Sequence, residues 1–108
     1  MKEGKLPAFE KIGKYWGNIP EEKRSFEIDI VALNKKAKEI LFAECKWKEN
    51  VDAEEICKEL EKKSFHVDWY SKERKEFFAV FVKSFSKRIE EFNGRKVLCF
   101  DLEEMFKQ

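Results

Sequence analysis

Residues 77–85, FFAVFVKSF, constrain the fold more than any other part of the chain. Nearly every position is apolar, and aromatic and β-branched residues predominate. Such a run predicts a β-strand that is covered on both faces and therefore lies in the middle of a sheet. Covering both faces of a sheet requires other elements packed above and below it. The run therefore predicts an α/β domain.

The remaining segments predict a mixed sheet of about five strands flanked by two or three helices. The predicted strands cover residues 9–16, 26–33, 39–47, 77–85 and 96–101. Three helices are predicted. The first begins at Asp52, the second is short and covers residues 88–92, and the third begins near Leu102. The first strand mixes aromatic residues with glycine and is expected at an edge. The second and third strands alternate in polarity on either side of a polar turn, so we expect them to form a β-hairpin.

Length and composition limit the class of protein. The 108 residues have room for one hydrophobic core, so we expect a single domain over residues 1–108. The 23 Lys plus Arg residues nearly balance 22 Asp plus Glu, so net charge indicates neither a nucleic-acid nor a membrane partner. This abundance of both charge types resembles that of thermophile proteins.

Cysteine use and hydropathy predict where the protein works. The three cysteines are isolated and lie in apolar stretches, which is not the pattern of a disulfide framework or a zinc site. No apolar run approaches the roughly 20 residues that a membrane-spanning helix needs. We therefore expect a cytoplasmic protein without a membrane partner. Alternation in the third strand predicts Cys45 to be a packed core thiol.

Two acids and a lysine meet on the predicted hairpin. One register of an even-length turn sets Asp29 opposite Glu44 and Glu27 opposite Lys46, and a slip of two residues leaves Asp29 and Glu44 diagonal neighbours. Both registers predict that these two acids and Lys46 share one face. The simpler interpretation is a solvated ladder of charges. The same face, however, also carries Val31 in the predicted alternation, so the acids border an apolar surface.

Paired carboxylates of this kind are typical of divalent-metal sites. Two facing carboxylates repel each other, and a cation relieves that repulsion. Mg²⁺ is commonly held by one or two carboxylates together with waters and a phosphate. The pattern therefore predicts Mg²⁺ or Mn²⁺ on Asp29 and Glu44, with Lys46 facing the remaining phosphate charge.

Glu27-Ile28-Asp29 followed by Glu44-Cys45-Lys46 resembles the signature of the PD-(D/E)XK nucleases. Four longer blocks, residues 12–16, 27–33, 40–47 and 81–86, resemble the C-terminal domain of archaeal-type P-loop ATPases. The resemblance implies a restriction-endonuclease-like fold. It also implies metal ligands at Asp29 and Glu44, and a Lys46 that assists the attacking water or stabilises charge. The implied activity is Mg²⁺-dependent endo- or exonucleolytic cleavage of DNA.

The chain departs from that pattern in ways that keep other functions open. We expect the N-terminal core helix of the nuclease family, which carries a further acid, to be missing ahead of residue 12, with Glu10 and Glu27 as secondary candidates for that acid. No Gly-x-x-x-x-Gly-Lys-Ser/Thr pattern is present, so this chain is not itself the ATPase. The alternative function is a catalytically inactive interaction or dimerisation module for an ATPase partner. A second copy or that partner is then expected to cover an apolar surface left by the missing helix.

Overall fold

A computed structural model gives the architecture of residues 11–19, 23–70 and 72–106. The strands are β1 (Lys11–Ile19), β2 (Arg24–Asn34), β3 (Glu39–Lys46), β4 (Val51–Asp52), β5 (Lys75–Val82), β6 (Phe85–Lys87), β7 (Glu91–Phe92) and β8 (Arg95–Phe100). The helices are α1 (Ala53–Ser64) and α2 (Leu102–Phe106). The predicted α/β class is confirmed.

The main sheet has six strands in the order β1-β2-β3-β5-β8-β7, and β4 and β6 form a separate parallel pair. β5 is parallel to both β3 and β8, whereas β1, β2 and β3 are successively antiparallel, as are β7 and β8. Residues 77–80 of β5 are buried. The apolar run therefore forms a central strand, as predicted.

Helix α1 connects β3 to β5 and covers one face of the sheet. Asp52 caps it, since its Oδ1 accepts the Glu54 backbone N–H at 2.9 Å. The helix buries one stripe, which consists of Ala53, Ile56, Cys57, Leu60 and Ser64. Three of these residues, Ile56, Cys57 and Leu60, belong to the same core cluster as Phe26, Ile28, Ile40, Phe42, Phe78, Val80 and Val82. The helix predicted to begin at Asp52 is confirmed.

The opposite face of the sheet has a buried centre and an exposed rim. Its centre is a second apolar cluster of Ala32, Leu41, Ala43, Phe77 and Ala79. At the rim, Trp47 is 63% exposed and borders an open apolar hollow of about 180 Å³ with Cys45 and Met105. Cys45 is exposed rather than packed, because it lies beyond the buried centre. The predicted core thiol is therefore wrong.

Residues 88–92 contain β7 and not the predicted helix. The Glu90 carbonyl accepts the Val97 backbone N–H at 3.0 Å, which ties this segment to β8. Asn93 and Gly94 have φ angles of +50° and +85°, and positive φ at both positions is what a two-residue β-hairpin turn requires. An Asn-Gly pair also follows many helices, so the sequence signal fits either structure.

The long apolar run is divided between two strands. β5 ends at Val82, and the Ser84 carbonyl then accepts the Val51 backbone N–H at 3.0 Å. After this bond the chain no longer pairs in the main sheet, and it continues as β6, which pairs with β4. The predicted single strand over residues 77–85 is therefore too long at its carboxyl end.

β1 is longer than predicted, continuing past Trp16 to Ile19, while residues 9 and 10 lie outside the described residues. Gly17 does not end the strand. A Cβ atom at Gly17 would approach the Phe26 ring to 2.5 Å, so glycine is needed there for close packing on β2.

Candidate metal centre

The hairpin of β2 and β3 positions the predicted acids. Its antiparallel pairing runs from the turn after Asn34 to the pair Ile30 and Ala43. This is the predicted register that sets Asp29 at the level of Glu44. The ordered pairing stops one residue short of those two acids, however, so side chains rather than the ladder determine their contacts.

A β-bulge in β2 interrupts the ladder at this point. On β1, Gly13 pairs with Val31 and Tyr15 pairs with Ile28, so β2 holds one more residue than β1 between the two pairs. Ile28 and Val31 consequently pack on the same side of the sheet, with the α1 core. The strict alternation predicted for β2 is therefore broken at Asp29, which lies within the bulge. Val31 lies on the side of Phe42, as predicted, but Ile28 lies on that side as well.

The carboxylate of Asp29 replaces the interrupted ladder. Its Oδ2 accepts the backbone N–H of Cys45 at 2.9 Å, which joins β2 to β3 just after Glu44. A charged acceptor makes this bond stronger than an ordinary backbone pair. Asp29 is therefore held beside Glu44, and its second oxygen is not used in this bond.

Glu44 lies almost entirely out of water, with 3% of its surface exposed. Its Oε2 accepts a hydrogen bond from the Lys63 ammonium at 2.9 Å, and its Oε1 lies 3.9 Å from Lys46 Nζ. Burial raises the pKa of Glu44, and the Lys63 hydrogen bond and charge oppose that rise. The charge of Asp29 raises the same pKa further. The two acids therefore interact electrostatically, as the hairpin predicted.

Lys63 of α1 is part of the site and was not predicted from the hairpin. Its Nζ donates to Glu44 Oε2 at 2.9 Å and to the Glu27 carbonyl at 2.8 Å. The sequence does contain one indication that Lys63 faces the sheet. Lys63 lies seven residues after the buried Ile56 and three residues after the buried Leu60, so it shares their side of the helix. That side faces the sheet.

Lys46 lies at the outer edge of the cluster. Its side chain is 34% exposed, and its ammonium is 3.9 Å from Glu44 and 4.0 Å from Glu59 of α1. These separations exceed those of a hydrogen bond. Lys46 and Glu44 nevertheless lie on the same side of β3, as predicted.

The other predicted acids lie elsewhere. Glu27 was predicted opposite Lys46, but it precedes the bulge and pairs with Trp16 of β1. Its carboxylate contacts the Lys14 ammonium at 2.9 Å, so only its backbone carbonyl reaches the cluster. Glu10 lies outside the described residues.

The donor atoms are of the kind that Mg²⁺ and Mn²⁺ prefer. Asp29 and Glu44 offer carboxylate oxygens, and Glu27 offers a backbone carbonyl. Within the described ranges, no group of three or more His, Cys, Asp or Glu side chains is placed to hold a metal. By donor type alone, the two carboxylates and the carbonyl suit an ion that keeps several waters, and the Lys63 ammonium is seated on two of these oxygens.

Comparison with known proteins places the chain in a family. Residues 1–59, just over half of its length, match DUF234, which comprises archaeal and bacterial proteins of unknown function. The chain belongs to this family. The DUF234 match includes Asp29, Glu44 and Lys46 and ends before Lys63. The family fits the archaeal affinity that the sequence predicts.

A relative and two negative results complete the comparison. An uncharacterized protein of Methanocaldococcus jannaschii is 38% identical over 95% of this chain, which spans only 21% of that protein's length. No solved structure matches the chain significantly. Among the described residues, no helix is long and apolar enough to cross a membrane.

Proposed function

We propose that this chain is a PD-(D/E)XK-type domain that binds Mg²⁺ or Mn²⁺ and binds or cleaves DNA at its phosphodiester groups. The supporting observation is the buried carboxylate of Glu44, held beside Asp29 and Lys46 where the hairpin ladder stops. Withdrawing a carboxylate from water opposes folding, so buried acids with perturbed pKa values concentrate at functional sites.

Each residue has a distinct role in this proposal. Asp29 and Glu44 hold the cation, and the Cys45 backbone N–H orients Asp29. Lys46 is one-third exposed and presents its ammonium to a phosphate oxygen at the edge of the site. A bound divalent ion supplies a water of lowered pKa and stabilises charge that develops on the phosphate.

The first test is calorimetric titration of Mn²⁺ into the purified chain and its Glu44→Gln variant at neutral pH. We expect saturable binding in the parent chain and its loss in the variant, because glutamine removes a charged ligand at nearly the same volume. Glu49→Gln, at an exposed residue after β3, controls for the loss of one negative charge.

Circular dichroism would establish that both variants stay folded. Saturable binding justifies a screen of single- and double-stranded DNA for Mn²⁺-dependent cleavage, with Lys46→Ala as the comparison. Equal metal affinity in the parent chain and Glu44→Gln would refute the assignment of Glu44.

The alternative is a catalytically inactive module for dimerisation or for docking to an ATPase. The observation in its favour is that Lys63 already neutralises Glu44 without a metal. It predicts no Mn²⁺ binding by calorimetry, together with a concentration-dependent dimer in sedimentation equilibrium or a stable complex with an ATPase. Saturable Mn²⁺ binding that depends on Glu44 would count against it.

A further inference from the structure

We infer that Lys63 is a built-in cation that occupies the metal site and must withdraw before a divalent ion binds, so that this lysine sets the metal affinity. The inference rests on the proposed function, because it concerns the same carboxylates. It assigns to Lys63 a regulatory role that differs from that of Lys46.

The position of the ammonium is the first reason. Lys63 Nζ lies 2.9 Å from Glu44 Oε2 and 2.8 Å from the Glu27 carbonyl oxygen, so it bridges two neighbouring strands. Its side chain is only 22% exposed. A cation held between a carboxylate and a carbonyl from adjacent strands uses the oxygen donors that Mg²⁺ also uses. The ammonium and a metal ion on Glu44 would therefore compete for the same oxygens.

The charge of the cluster is the second reason. Asp29, Glu44 and Glu59 carry three negative charges, and Lys46 and Lys63 carry two positive charges. A divalent ion added to this set would still leave an excess of positive charge around the buried Glu44. Coulombic repulsion between cations a few ångströms apart is strong away from bulk water. Withdrawal of Lys63 relieves that repulsion.

The two lysines differ in how they meet Glu44. Lys46 lies 3.9 Å from Oε1 and is more exposed, so it does not occupy a hydrogen-bonding position on the carboxylate. Lys63 does occupy one, at the end of a flexible stem in the last turn of α1. Rotation of that stem would carry its ammonium to water without moving the helix. Lys63 is therefore the group that a metal displaces.

The test is calorimetric titration of Mn²⁺ into the parent chain and its Lys63→Gln and Lys62→Gln variants. We expect Lys63→Gln to bind Mn²⁺ about tenfold more tightly, because the metal then no longer has to displace an ammonium group from Glu44 before it binds. Lys62→Gln is the matched control, because Lys62 is the adjacent, exposed residue in the same helical turn. Its affinity should equal that of the parent chain.

The outcomes separate the two proposals. If the parent chain binds Mn²⁺ and Glu44→Gln does not, unchanged or weaker binding by Lys63→Gln would overturn the role of Lys63 alone. If neither the parent chain nor Lys63→Gln binds Mn²⁺, the proposed metal site itself is wrong, and this inference is wrong with it.

A second measurement uses the unaltered chain and does not depend on the variant folding. Reductive methylation of lysine amines, followed by peptide mass spectrometry, reports the accessibility of Lys63 with and without Mg²⁺. Mg²⁺ should raise the rate at Lys63 several-fold, while Lys62 serves as the internal reference. An unchanged or slower rate at Lys63 in saturating Mg²⁺ would contradict displacement.

Discussion

Two charged clusters contact α1, and they differ in which cation each uses. The arginine network consists of Glu61, Arg74, Glu76 and Arg95, and the acid-lysine cluster consists of Asp29, Glu44, Lys46 and Lys63. In both clusters, carboxylates form ion pairs with basic side chains. The cations of the arginine network are guanidinium groups, whereas those of the acid-lysine cluster are ammonium groups.

The arginine network is held by several directed hydrogen bonds. Arg74 is 3% exposed in its side chain, and its Nε donates to Glu76 at 2.7 Å. Its other nitrogens donate to the carbonyl oxygens of Ser64, Val67 and Trp69. Arg95 donates from Nε to Glu76 at 2.5 Å and from Nη1 to Glu61 at 2.8 Å. A planar guanidinium with this many acceptors has one preferred position.

The acid-lysine cluster is less fixed. Lys63 makes two hydrogen bonds through one rotatable ammonium, and Lys46 makes contacts of 3.9 and 4.0 Å. No buried side-chain nitrogen or oxygen among the described residues lacks a hydrogen-bond partner, so neither cluster is poorly satisfied. The difference is that a lysine point charge can be replaced by another cation, whereas the arginine fork cannot. The arginine network is therefore expected to contribute stability, and the acid-lysine cluster has the looser contacts that the proposed ligand exchange requires.

The largest expected effect is that of Arg74→Met. Removing this buried guanidinium leaves Glu76 Oε2 and three carbonyl oxygens without their donor, while Arg95 still donates to Glu76 Oε1. The free energy of unfolding should therefore fall by about 3–5 kcal/mol. Urea denaturation measures it. Arg88→Met is the control, because Arg88 is 42% exposed in its ion pairs with Asp101 and Glu104. That variant should lose less than about 1 kcal/mol.

Equally small losses of unfolding free energy in Arg74→Met and Arg88→Met would contradict the contrast between the two clusters. They would mean that Arg74 contributes no more than a surface ion pair. The acid-lysine cluster would then be no less fixed than the arginine network, and its role in ligand exchange would lose its structural basis.

Asp29→Ala should have an intermediate effect. It leaves the Cys45 backbone N–H without the acceptor that replaces the interrupted ladder, at a cost of about 1–3 kcal/mol in the free energy of unfolding. Hydrogen exchange measured by NMR should show faster exchange of the Cys45 amide. Asp29→Asn retains an acceptor oxygen and should restore most of the protection. Unchanged exchange in Asp29→Ala would show that the bond does not hold the two strands together.

Local rules were sufficient for the elements that bring the site together. The even-length turn after Asn34 limits β2 and β3 to registers that differ by two residues, because side chains alternate with a fixed period, and the structure has the register that sets Asp29 level with Glu44. The Asp52 cap and the spacing of apolar residues predict α1 and its buried stripe. The apolar run predicts a central β5. These features depend on short-range geometry, which the sequence expresses directly.

Features that depend on a neighbouring strand or helix were not predicted. The bulge at Asp29 arises from how β1 pairs with β2, and one extra residue reverses the alternation without altering composition. Asn93-Gly94 forms a hairpin because β8 is available to pair with β7. Lys63 enters the site only because α1 packs on β2 and β3. Each outcome is tertiary, so residue spacing alone leaves it open.

Glu44→Gln should change the free energy of unfolding least at neutral pH. The way this change varies with pH should show how the acid-lysine cluster differs from the arginine network. Burial, opposed by Lys63, raises the pKa of Glu44 in the folded chain. A raised folded-state pKa contributes stability that is fully present below the unfolded pKa and is lost as pH rises through the folded value. Relative to Glu44→Gln, the parent chain should therefore become more stable as pH falls from about 8 to about 4.

Urea denaturation of both proteins across this range measures the difference. At neutral pH it should stay within about 1 kcal/mol, because Lys63 can turn its ammonium to water once glutamine replaces its partner. A parent chain that instead gains stability over the variant as pH rises would show that the Lys63 pair outweighs burial. Glu44 would then be a fixed structural carboxylate like Glu76, and displacement of Lys63 by a metal would be correspondingly unfavourable.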